Sequence, residues 1–302
     1  MIPRFLVVAS LMTASLVPAV AAGQATPGTR LDVAGGWITY YEQGPRTGTP
    51  LVLVSGGPGF GSEYFWFRPW GGFEKTHRNV RYDQRGTGRA SPVGPVDKVS
   101  VAQFVADIEA LRVALKAEKI DLLGHSWGGY LSMAYATRHA DRLAHLVLLD
   151  AAAPKFSDTH FLFTEAFPDR GDFIAQFGRG VETGGATMDS ALTSYVSSIF
   201  YSPDNAAGFL KQLGDAHFNR FQHKQLSKEM GAVDLSAGVR ALKVPTLVLT
   251  GRYDMNVAPL TAFRIHQMIP GSQFGMFERS SHMPFYEEGD KFGAVLAAFL
   301  GR

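Results

Sequence analysis

The sequence predicts an α/β protein: a mostly parallel sheet with helices on both faces and a helical insertion. Three observations carry this. Short apolar runs alternate with helix-period segments along the chain. Runs such as Leu51-Val-Leu-Val54 and Thr246-Leu-Val-Leu249 lack the polar alternation of a half-exposed strand, so they read as strands covered on both faces. The runs at residues 145–149 and 245–249 are separated by far more chain than one crossover connection needs, which calls for an inserted subdomain.

Taken in order, the segment 37–41 reads as an early edge strand, and 51–54 as a short buried one. A third strand covers 79–82. Ser100 followed by Gln103 forms a capping-box signal for a helix with apolar residues at Val101, Phe104, Val105, Ile108, Leu111 and Leu115. Residues 120–123 form a strand that ends in Gly124-His-Ser-Trp-Gly128, and a helical pattern follows over 130–139. The strand at 145–149 precedes the insertion, 154–236, which is rich in phenylalanine (Phe156, Phe161, Phe163, Phe167, Phe173, Phe177) at helix-like spacing. Its aromatics read first as packing and second as a substrate wall. Residues 245–249 and 273–277 supply the last strands, and a closing apolar helix ends the chain.

The N-terminus has a different texture. Arg4 precedes an apolar run to about Val17, then Pro18 and the small residues Ala19, Ala21 and Ala22. This is the pattern of a cleaved export signal, with a mature chain starting near Ala22 or Gly23. An uncleaved membrane anchor is the competing reading. The expected organisation is therefore a signal peptide at 1–22, a core at 23–153 and 237–302, and a cap at 154–236. The protein is expected to be periplasmic or secreted, with no stable membrane insertion after cleavage.

Composition excludes several functions. The 302 residues carry 29 basic and 27 acidic side chains, a net charge of +2 without any charged run, so no footprint for nucleic acid exists. With no cysteine, a thiol nucleophile and zinc-thiolate sites are out of reach. No metal or other cofactor is expected.

The strand-G-x-S-x-G-helix context makes Ser126 a nucleophile, because a strained turn flanked by glycines lifts the hydroxyl out of the sheet. A serine hydroxyl needs a base and a group to orient that base. In this fold, the α/β-hydrolase fold, the chain order is Ser, acid, His. His282, beyond the last strand, is the base candidate. Asp254, beyond the strand at 245–249, is the acid, with Asp150 as its rival at the neighbouring strand end. His125, inside the turn, is a weaker candidate for base. Oxyanion donors are expected from the backbone N–H groups of Trp127 and Gly57, the latter in the loop Ser55-Gly-Gly-Pro-Gly59.

Gly56-Gly-Pro-Gly59, Asp83-Gln-Arg-Gly-Thr-Gly-Arg-Ala-Ser91 and Gly124-His-Ser-Trp-Gly-Gly129 together resemble the proline iminopeptidases, and Gly251-Arg-Tyr-Asp254 and Ser281-His282 fit the same pattern. The resemblance covers the core on both sides of the cap. It implies release of an N-terminal residue, typically proline, through an acyl-enzyme intermediate without a metal. It also implies that Asp83 and Arg85 brace loops around the site. Two positions depart from the family: Ser55 stands where a histidine usually precedes the glycines, and the cap lacks the tryptophan that commonly accompanies amine-binding glutamates. Glu63, Glu165, Glu182 and Glu229 are the available partners for a substrate amine. The substrate is thus expected to be a small peptide. The same machinery would also serve a carboxylesterase or amidase with an apolar acyl pocket, or a binding or sensing protein that turns over poorly.

Overall fold

The computed structural model describes residues 27–166, 187–214 and 218–301. The proposed signal segment, Glu182, Phe167, Phe173 and Phe177 lie outside these residues. Among the described residues no helix is long and apolar enough to cross a membrane.

Eight strands form one sheet in the order β1-β2-β4-β3-β5-β6-β7-β8. They are β1 (Thr29–Val33), β2 (Gly36–Gln43), β3 (Leu51–Val54), β4 (Asn79–Asp83), β5 (Ile120–His125), β6 (Leu143–Leu149), β7 (Thr246–Gly251) and β8 (Gln273–Phe277). From β4 to β8 every pairing is parallel, whereas β1/β2 and β2/β4 are antiparallel. The predicted edge strand at 37–41 is therefore interior, covered by β1. That strand is short and mostly exposed, with Thr, Arg and Asp among its five residues, so it carries no apolar alternation to announce it.

The helices are α1 (Phe73–Thr76), α2 (Val101–Ala114), α3 (Trp127–His139), α4 (Phe163–Ala166), α5 (Thr187–Ser198), α6 (Pro203–Leu213), α7 (Arg220–Ala232), α8 (Ser236–Arg240), α9 (Pro259–Met268), α10 (Pro284–Glu287) and α11 (Gly289–Leu300). Side-chain alternation along the strands builds two cores, one on each face. Val52, Val54, Leu122, Leu146, Leu148 and Val248 face one side, against α2, α3 and α9. Leu51, Leu53, Leu123, Val147, Leu149 and Leu247 face the other, against α1 and α11. The predicted capping residue is in place: Ser100 Oγ accepts from the Gln103 N–H at 3.3 Å.

Between β6 and β7 the described chain is helical, from α4 to α8. The strand order places the site: from β3 the sheet runs to β4 on one side and to β5 on the other, leaving a crevice at the carboxyl ends of β3 and β5.

Candidate active site

Ser126 occupies the turn between β5 and α3 with φ 57° and ψ −120°, a backbone conformation that L-residues rarely adopt. Neighbouring backbone holds it there. The Ser126 N–H donates to Leu149 O at 3.0 Å, and its carbonyl accepts from Gly129 at 2.9 Å and Ala152 at 3.2 Å. Glycine at 124 and 128 is a steric requirement. A Cβ on Gly124 would lie 2.2 Å from Gly128 O, and one on Gly128 would lie 2.1 Å from Val54 O.

The three residues proposed for proton transfer converge on this turn from the ends of β5, β7 and β8. His282 Nδ1 donates to Asp254 Oδ2 at 2.7 Å, and both side chains are buried. The other oxygen of Asp254 accepts from the backbone N–H groups of Asn256 at 2.8 Å and Val257 at 2.9 Å, so the carboxylate is fixed in one orientation. His282 and Ser126 line a shared small pocket of about 40 Å³. No hydrogen bond joins them among the described residues. Instead Asn256 Nδ2 stands 3.2 Å from His282 Nε2 and occupies its lone pair in this resting arrangement. Catalytic hydrogen bonds of this kind commonly tighten only with substrate bound.

Asp150, the rival acid, is placed differently. It is fully buried, its Oδ1 accepts from the Gly251 N–H at 2.9 Å, and no donor reaches its Oδ2. Burial and the adjacent Asp254 carboxylate push its pKa well above the usual range. Its surroundings therefore favour the neutral form, whereas Asp254 is held by donors on both oxygens.

His125 is a brace. Its Nε2 lies 2.9 Å from the carbonyl of His282, which only accepts, so Nε2 carries the hydrogen. Nδ1 is then an acceptor for the Tyr64 hydroxyl at 2.9 Å, and that hydroxyl accepts in turn from the Gly56 N–H at 2.6 Å. Burial, then the neighbouring His282, holds the His125 pKa well below its ordinary value, which keeps the ring neutral. One chain of hydrogen bonds thus ties the loop after β3 to the loop that carries His282. His125, His282 and Asp150 bring ligand-type atoms within 4.8 Å of one another. With both nitrogens of His125 and Nδ1 of His282 already engaged in hydrogen bonds, the group is a poor ligand set for a metal.

The loop 55–59 is held at Ser55, Pro58 and Gly59 by distant segments. Gln84 Nε2 donates to Ser55 O at 2.9 Å and Ser55 Oγ at 3.0 Å, while its Oε1 accepts from Trp127 Nε1 at 3.1 Å. His223 Nδ1 stands 3.1 Å from Pro58 O, and the Asn219 N–H donates to Gly59 O at 2.9 Å. Gly57, with φ 124°, and Trp127, at the start of α3, border the same cavity as Ser126. Asp83 accepts from Tyr41 and Ser62, and Arg85 grips Asp107 through two bonds of 2.6 and 2.8 Å.

That cavity, about 420 Å³, opens in front of Ser126 under the insertion. Its wall is largely aromatic and apolar, including Phe156, Phe161, Phe163 and Met230. None of the four glutamates proposed for amine binding is found on its described lining. Glu229 accepts from the Val101 N–H at 2.8 Å, and so caps α2. Glu165 is exposed, and Glu182 lies outside the described residues. Glu63 is largely buried, and desolvation raises its pKa. Tyr64, Gln84, Asn219, His223 and Asn256 were absent from the predicted site. They reach it from four separate segments, Asn219 and His223 sharing the start of α7, and no local spacing marks them.

Comparison with known proteins identifies the family and the fold. The sequence profile described as alpha/beta hydrolase fold matches residues 49–289. The chain is 30% identical to a proline iminopeptidase from Lactiplantibacillus plantarum, over 88% of this chain and 97% of that one. It is 29% identical to a proline iminopeptidase from Xylella fastidiosa, over 82% and 87%. Among solved structures, an esterase from Exiguobacterium antarcticum superposes with a TM-score of 0.72 at 24% identity, covering 91% of this chain and all of that one.

Proposed function

The chain belongs to the alpha/beta hydrolase fold family, and we propose that this hydrolase releases an N-terminal residue from short peptides through an acyl-enzyme on Ser126. The observation that carries the reaction class is Ser126 on its strained turn above the His282–Asp254 pair. Likeness to proline iminopeptidases over most of the chain supports the peptide substrate.

In this reading, substrate displaces the Asn256 amide and lets the Ser126 hydroxyl reach His282 Nε2. His282 takes the proton as Oγ attacks the carbonyl, and Asp254 stabilises the resulting imidazolium. The backbone N–H groups of Gly57 and Trp127 receive the oxyanion. The proton then passes to the leaving amine, and water repeats the sequence to free the acid. Residues 154–236 act as a cap that shapes the pocket, and the leader-like first 22 residues favour an exported enzyme.

A carboxylesterase is the second reading, favoured by the apolar cavity and its lack of a carboxylate among the described lining residues. Proline and alanine arylamides assayed beside short-chain aryl esters separate the two. Arylamide cleavage that disappears in Ser126→Ala is expected, and cleavage of esters alone would overturn the peptidase reading.

A further inference from the structure

A substrate that carries a hydrogen-bond donor beside its scissile carbonyl needs an acceptor in the cavity, because an unpaired buried donor costs free energy. The described lining offers no carboxylate for this. It does offer one face of α7, where His223, Ser227 and Met230 stand at successive helical turns and all border the cavity.

His223 is fixed in a definite state. Its Nδ1 lies 3.1 Å from Pro58 O, and a carbonyl only accepts, so Nδ1 carries the hydrogen. Nε2 of the neutral ring is then a bare acceptor, and among the described residues it has no protein partner. Burial lowers the pKa of His223, which favours this neutral form. Phe218 packs against the ring at 5.2 Å between centroids and restricts its rotation. The anchor, Pro58, directly follows Gly57, the proposed oxyanion donor. An acceptor anchored there borders the cavity in front of Ser126, next to the loop that carries Gly57.

We propose that His223 Nε2 is a specificity-determining acceptor for an N–H or O–H donor on the carbon adjoining the scissile carbonyl, with Ser227 Oγ as a second acceptor. Given the peptidase reading above, on which only the identity of the donor rests, that donor is the free α-amino group of the released residue.

The test measures kcat and KM for wild type, His223→Phe and His223→Gln on alanine arylamide, aryl lactate and aryl propionate. The last two share an acyl skeleton and differ in the α-hydroxyl. His223→Phe should raise KM and lower kcat/KM at least about tenfold for the donor-bearing substrates. Aryl propionate, which lacks the donor, should lose at least about fivefold less, any loss shared by all three substrates reporting the Pro58 anchor, and His223→Gln, whose amide oxygen accepts, should recover most of the donor-dependent difference. An equal effect on lactate and propionate, in either variant, would assign His223 to holding the loop and overturn the proposal. Failure of the wild type on alanine arylamide would sink the peptidase reading alone, since the lactate–propionate contrast would still decide His223.

Discussion

Two buried carboxyl groups meet behind His282, and the pattern of hydrogen bonds gives them unequal work. Asp254 receives three donors, including His282, and has the environment of an anion. Asp150 receives one, from Gly251, and burial beside Asp254 favours its neutral form. Because its folded pKa is raised above that of an unfolded carboxyl, the stability it lends is full in acid and is lost as pH rises through the raised value. Asparagine at 150 keeps the acceptor for Gly251 without that titration. Asp150→Asn should therefore retain kcat within about threefold, and its melting temperature relative to wild type should climb as pH increases above the acid range. Asp254→Asn should lower kcat by about 10⁴-fold, since it favours the wrong tautomer of the base. The reverse ranking of the two variants in kcat would make Asp150 the acid. Ser126, Asp254 and His282 could be singled out from sequence because each follows a strand end in the order this chemistry uses. Asn256 and Tyr64 could not, because only the folded chain brings them to a histidine.

At the level of elements, the decisive unit is β5, its turn and α3. The turn is held from two sides, by β6 backbone at Leu149 and by the close pass of β3 under Gly128. A methyl group at 128 would have to displace main-chain atoms of the central sheet, where little can move. Gly128→Ala should cost about 3 kcal/mol or more, read as a fall of roughly 6–10 °C in melting temperature. An unchanged melting curve would mean that the strained turn relaxes freely. The apolar strands and the helix opened by Ser100 were legible because their patterns are local. The strand β1 was not, because an exposed edge needs few apolar side chains and its pairing with β2 supplies the order. The loop 55–59 was recognisable as a glycine turn, but three of the residues that clamp it, Gln84, Asn219 and His223, come from far along the chain. Those clamps hold the carbonyl groups of Ser55, Pro58 and Gly59 in place on either side of Gly57.

Across the whole molecule, two apolar cores fix a sheet whose carboxyl edge gathers the proposed reactive groups, while described residues between β6 and β7 line the cavity in front of Ser126. Asn219 and His223 belong to that insertion and bond to the loop 55–59, so the insertion and the core complete the site together. The glutamates offered as amine partners by the family resemblance illustrate what a sequence leaves open: Glu229 caps a core helix, a role set by packing between distant helices. The account depends above all on one nucleophile activated by one base. Reaction of the whole protein with a fluorophosphonate probe, followed by mass mapping of the adduct, tests this directly. A single adduct on Ser126 is predicted, absent in Ser126→Ala and formed about 10³-fold or more slowly in His282→Ala. An adduct elsewhere, or labelling of His282→Ala at the wild-type rate, would contradict it.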